Sequence, residues 1–118
     1  MKVFYFYIFL QISVLQIFAQ KYPKNPNTTD ASGKRQGVWT VFFDADWDEV
    51  PVNSNRIAYY RTISYKDDKP SGVIKDYYKN GTIQFEGTMT QDRPEELKEG
   101  DCIYYDEKGR KTQLTVYS

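Results

Sequence analysis

The stretch "GVIKDYYKNGTIQFEG", Gly72 to Gly87, decides the fold class of this chain. Asn80-Gly81 is the strongest short signal for a two-residue hairpin link, a type I′ turn in which both residues take φ > 0. Beyond it Ile83, Phe85, Gly87 and Met89 alternate with Thr82, Gln84, Glu86 and Thr88, the period of two expected of a half-buried strand. Before it stands a glycine followed by a short strand that ends in Tyr77 and Tyr78. The stretch therefore predicts one β-hairpin.

The same unit recurs on either side. Setting Gly37, Gly72 and Gly100 in register gives "GVWTVFF", "GVIKDYY" and "GDCIYY", each ending in two adjacent aromatics. Return strands follow in "RIAYYRTISYK", "TIQFEGTMTQ" and "RKTQLTVYS", rich in the β-branched and aromatic residues that strands favour. In the first return strand Ile57, Tyr59, Ile63 and Tyr65 share a face that Arg61 interrupts. The third link, "DEKGR", is read as one residue longer than the second, with Gly109 at its left-handed position; in the first, "DADWDEVPVNSN" (44–55) replaces the turn. No stretch after residue 20 sustains a helical period for three turns. The expectation is an all-β antiparallel meander of about three β-hairpin repeats forming a single extended, twisted sheet over 37–118, preceded by a polar lead-in at 20–36 that carries Pro23 and Pro26.

Adjacent strand residues project to opposite faces, so each aromatic pair places one ring above the sheet and one below. Stacked hairpins would align such rings into ladders, where cross-strand aromatic pairs contribute roughly 0.2–1 kcal/mol each. Exposed aromatics in series also build binding surfaces. Trp39, Phe43, Tyr60, Tyr78 and Tyr105 are accordingly the candidate binding residues.

The N-terminus, "MKVFYFYIFLQISVLQIFAQ", has one positive charge at Lys2, an apolar run and Ala19. This is the layout of a signal peptide cleaved near Ala19-Gln20, and the run is too short and too polar for a typical spanning helix. The expectation is export to the periplasm, cell surface or medium, with no membrane span after cleavage. About 100 residues then remain, enough for one domain. With 16 basic and 16 acidic residues, the chain shows no basic footprint for nucleic acid.

The chain has no histidine and a single cysteine, Cys102. That removes His-based nucleophile chemistry and the commonest zinc ligand, rules out an intramolecular disulfide, and leaves Cys102 as a small buried hydrophobe, with an intermolecular disulfide or a reactive thiol as the sharper alternative. Asp44, Asp46 and Asp48 match the first ligand positions of a calcium loop, but Glu49 and Asn55 stand where such a loop needs its glycine and its bidentate glutamate. No metal and no cofactor are therefore expected. Carboxylates are abundant, yet no pair is marked as buried for glycoside hydrolysis, so no enzyme is expected. "NTT" and "NGT" match the glycosylation pattern at Asn27 and Asn80, although turn geometry already explains Asn80.

Three segments, "TDASGKRQGVW" (29–39), "YKDDKPSGVIKDYYKNGTIQFEG" (65–87) and "EGDCIYYDEKGR" (99–110), together resemble the MORN-variant repeat family, the antitoxin-type repeat proteins. The resemblance covers essentially everything from Thr29. It implies hairpins in an extended antiparallel sheet, no catalytic residues, and a protein-binding or scaffolding role toward a protein or cell-envelope component. The antitoxin label implies a second possibility, an immunity or antitoxin-type protein that neutralises a toxic partner. A third, suggested by the tryptophans and tyrosines, is a carbohydrate-binding module.

Overall fold

A computed structural model describes residues 22–118; the expected leader and its cleavage site near Ala19-Gln20 lie outside the described residues. Six long strands carry the architecture: β2 (Arg35–Phe43), β4 (Tyr59–Lys66), β5 (Lys69–Tyr78), β6 (Ile83–Gln91), β7 (Leu97–Tyr105) and β8 (Lys111–Tyr117). Two short ones, β1 (Thr28–Thr29) and β3 (Glu49–Val50), both pair with β2. All pairings are antiparallel, the order is β1-β2-β4-β5-β6-β7-β8, and consecutive long strands are neighbours. The three units are the hairpins β2/β4, β5/β6 and β7/β8. The all-β meander expected from the sequence is thus the fold.

The links differ from the expectation in an instructive way. Gly81 lies at φ 92 but Asn80 is not among the residues with positive φ. Gly81 N donates to Tyr78 O at 2.9 Å and Tyr78 N to Thr82 O at 2.8 Å. This is the three-residue link, a turn followed by one left-handed residue, and not type I′. The third link has the same form and length, with Gly109 at φ 83 and the same bond pair between Asp106, Gly109 and Arg110. The two-residue link with both φ positive lies between units instead, at Asp67 (φ 51) and Asp68 (φ 67), where Lys66 pairs with Lys69.

The same three-residue turn occurs twice more. In the lead-in, Gly33 (φ 82) closes on Asp30, so part of 20–36 is hairpin: β1 pairs Thr28 with Gln36 and Thr29 with Arg35. In the insertion, Trp47 N donates to Asp44 O at 3.1 Å and Asp44 N to Asp48 O at 2.9 Å, and Trp47 itself holds φ 63. Asp30, Asp44 and Asp106 each accept two backbone N–H groups of their own turn through Oδ1, as short carboxylates do in turns.

The sheet has two apolar faces. On the front, Val41, Phe43, Ile63, Tyr65, Ile74, Phe85, Met89 and Cys102 form the larger buried cluster. On the back, Phe42, Val50, Ile57 and Tyr60 form the smaller, with Tyr22 and Tyr77 against it. Two sequence assignments change. Ile57 packs with the back cluster, and a register shift between Asp76 and Tyr77 leaves Ile83 opposite Tyr77, while Gln84 and Phe85 line one cavity together. Cys102 is fully buried and lies so close to Gly87 that a Cβ there would come within 2.7 Å of its Sγ.

Candidate functional site

The five aromatics expected as a binding ladder do not share a surface. Trp39, Phe43 and Tyr78 stand on the front, where Tyr78 follows Tyr59 and Tyr59 follows Phe43 in cross-strand register. Tyr60 stands on the back, stacked on Tyr77 at 4.9 Å, and Tyr105 follows front-facing Tyr104 with its hydroxyl 3.3 Å from Glu86. Phe43 and Tyr60 are buried, Phe43 in the front cluster and Tyr60 in the back one. Alternation along each strand imposes this split.

A groove opens on the front face. Two segments bound it: the Asp44–Asp48 turn from the insertion, and the 92–96 connection between β6 and β7. Its main part has a volume of about 390 Å³, walled by Trp47, Asp48 and Glu49 on one side and by Asp92, Pro94 and Glu96 on the other. A continuation of about 230 Å³ passes Trp47 toward Phe85, Lys98 and Tyr104. Trp47, Arg61 and Glu96 belong to both parts.

Trp47 is the unusual wall. Its ring lies parallel to Tyr59, with centroids 4.0 Å apart and planes 12° from parallel, and tilts against Phe43 at 5.4 Å. The corresponding places in the three sister turns hold Gly33, Gly81 and Gly109. A left-handed conformation costs a residue with a Cβ roughly 1–2 kcal/mol, and aromatic pairs return about 0.5–1.5 kcal/mol each beyond area burial. The two contacts offset the strain and fix the indole at the groove.

The floor is charged. Arg61 and Asp76 are each 3% exposed and form a forked pair, Nε to Oδ1 at 2.6 Å and Nη2 to Oδ2 at 2.9 Å. Arg61 Nη2 also donates to Glu96 Oε2 at 2.7 Å, Lys98 Nζ reaches Glu96 Oε1 at 3.4 Å, and the guanidinium lies 4.9 Å from the Phe43 ring centroid. Burial works against the charge on Arg61, but the bond to Asp76 and its charge outweigh that and raise its pKa. Burial also opposes ionisation of Glu96, yet Arg61 holds that carboxyl below its usual range. No side-chain nitrogen or oxygen buried from water lacks a hydrogen-bond partner among the described residues.

A second chain of bonds ties the groove to the sheet end. Arg35 Nη1 donates to Tyr65 Oη at 3.1 Å, and that hydroxyl donates to Asp92. Arg35 Nη2 bonds Glu49 at 3.2 Å while its guanidinium lies 4.2 Å over Trp39. Burial, reinforced by Asp92, pushes the Tyr65 hydroxyl up to about 12. Both walls are thereby tethered to β2 and β4.

Sequence reasoning missed Asp76, Asp92 and Glu96 as a group. One signal was present: Arg61 interrupts an otherwise apolar face, and a charge at such a position requires a buried partner. Of the acidic triplet, Asp44 serves the turn, its Oδ1 accepting from the backbone of Asp46 and Asp48. Among the described residues no group of three or more potential ligands could hold a metal ion, and no helix is long and apolar enough to cross a membrane. Comparison with protein-family models, with curated proteins and with solved structures finds no match.

Proposed function

We propose that this protein is an exported, non-enzymatic binding module that takes a protein or cell-envelope partner into the front groove. The observation that carries this is Trp47: a bulky residue holds φ 63 beside the groove, where the sister turns use glycine, and strained residues of this kind cluster at ligand-contacting sites. The resemblance to MORN-variant repeats supports a binding role, and the apolar leader supports export. Asp48 is exposed on the groove wall, so charge reversal there perturbs the site and spares the core. Tagged protein is expected to co-purify with one stoichiometric partner, with Asp48→Lys losing that partner while its circular dichroism and melting temperature stay as in the parent. Full retention of the partner by a folded Asp48→Lys protein overturns the groove as the binding site.

A further inference from the structure

The charges around the groove identify the chemistry of its occupant. In its main part the carboxylates of Asp48, Glu49, Asp92 and Glu96 face two cations, Arg61 and Arg93. Both cations are already committed. Arg61 is held by Asp76 and Glu96, and Arg93 lies 3.4 Å from Asp68 and 4.0 Å from Asp92. Asp48, by contrast, forms no ion pair with a described residue. Glu49, Asp92 and Glu96 are paired as well, with Arg35, Arg93 and Arg61, so the unspent charge of the lining is that of Asp48, and low-dielectric walls focus such a field into the cleft.

The aromatic wall points the same way. Trp47 borders both parts of the groove, and an indole face attracts a cation through its quadrupole. Phe43 and Val41 on the floor offer apolar surface to the methylene stem of a long basic side chain, whose charged end then reaches the carboxylates. An anionic group would meet the unpaired carboxylate of Asp48 and two arginines whose charges are already spent.

We propose that the groove receives a lysine or arginine side chain from an extended segment of a partner protein, with Asp48 as the carboxylate that selects it. This deepens the binding function proposed above and rests on it. The test is selection from a displayed library of short random peptides against the tagged full chain, followed by affinity measurement of the selected peptides on the parent, on Asp48→Asn and on Asp48→Lys. Selected peptides enriched in Lys and Arg, binding Asp48→Asn about tenfold more weakly, are the expected result. Acidic or purely apolar peptides whose binding Asp48→Lys still abolishes would overturn the basic occupant and leave the groove as the site. Peptides that bind parent and variants equally, or failure to select any, would also overturn the basic occupant; co-purification with Asp48→Lys then judges the groove separately.

Discussion

The Asn27 carboxamide stands in for a strand against Thr40. Asn27 Nδ2 donates to Thr40 O at 2.9 Å, and Thr40 N donates to Asn27 Oδ1 at 3.0 Å. It fills the gap between β1, which covers Arg35 and Gln36, and β3, which covers Phe42 and Phe43. The outer edge of β2 is covered by these three devices, which is how natural sheets blunt an edge. The lead-in is further held by Asn25 and Pro23 on the Thr40 hydroxyl and by Tyr22 against Phe42.

Asn27→Ala removes both bonds and leaves the Thr40 backbone groups without them. Its expected cost is about 1–3 kcal/mol, measured as a lower urea midpoint with an unchanged slope. Asn27→Asp keeps the acceptor and loses the donor, so it should fall between Ala and the parent. A midpoint for Asn27→Ala equal to that of the parent would show that the lead-in does not contribute to stability.

The repeated turns make a matched prediction. Gly81→Val and Gly33→Val should each destabilise by at least about 1–2 kcal/mol, because both glycines hold a left-handed φ that penalises a Cβ. Open space surrounds Gly33, so conformation alone is tested there. Chemical denaturation of the two variants checks it, and a neutral Gly33→Val would remove the lead-in turn from the folded unit.

The floor pair responds asymmetrically to mutation. Asp76→Ala leaves the buried Arg61 with Glu96 alone, and breaking such a pair from one side costs about 3–5 kcal/mol. The double variant Arg61→Met/Asp76→Leu removes the charge together with its partner and should recover most of that loss. Thermal unfolding of the single and double variants decides the matter; a double variant no more stable than Asp76→Ala would contradict the buried-charge explanation.

Alkaline pH tests the Tyr65 network. The unfolded phenol titrates near 10 and the folded one near 12, so the native state retains its proton over that window and binds more protons than the unfolded state. Stability is therefore fully present below about pH 10 and declines as pH rises toward 12. Absorbance titration of tyrosinate should show a late-ionising component that Tyr65→Phe diminishes. Complete tyrosine ionisation near pH 10 in the still-folded protein would refute it.

Three glycine-aromatic units with alternating return strands were by themselves enough to determine an antiparallel meander of three hairpins, because the period of two and the turn residues are local properties of the chain. That Cys102 is buried was legible from the chemistry of a free cysteine, which packs as a small hydrophobe. The turn types were less so: Asn80-Gly81 satisfies two link geometries, and the closing bonds at Tyr78 select the longer one. The groove was decided only by tertiary structure. Register shifts at Asp76/Tyr77 and Glu86/Thr88 interrupt the simple alternation of faces. Arg61 finds Asp76 at a separation of 15 residues and Glu96 at 35. Such pairings depend on which strands lie side by side and on where the connections fold over them, and the desolvation that gives them their strength exists only once the sheet has closed water out.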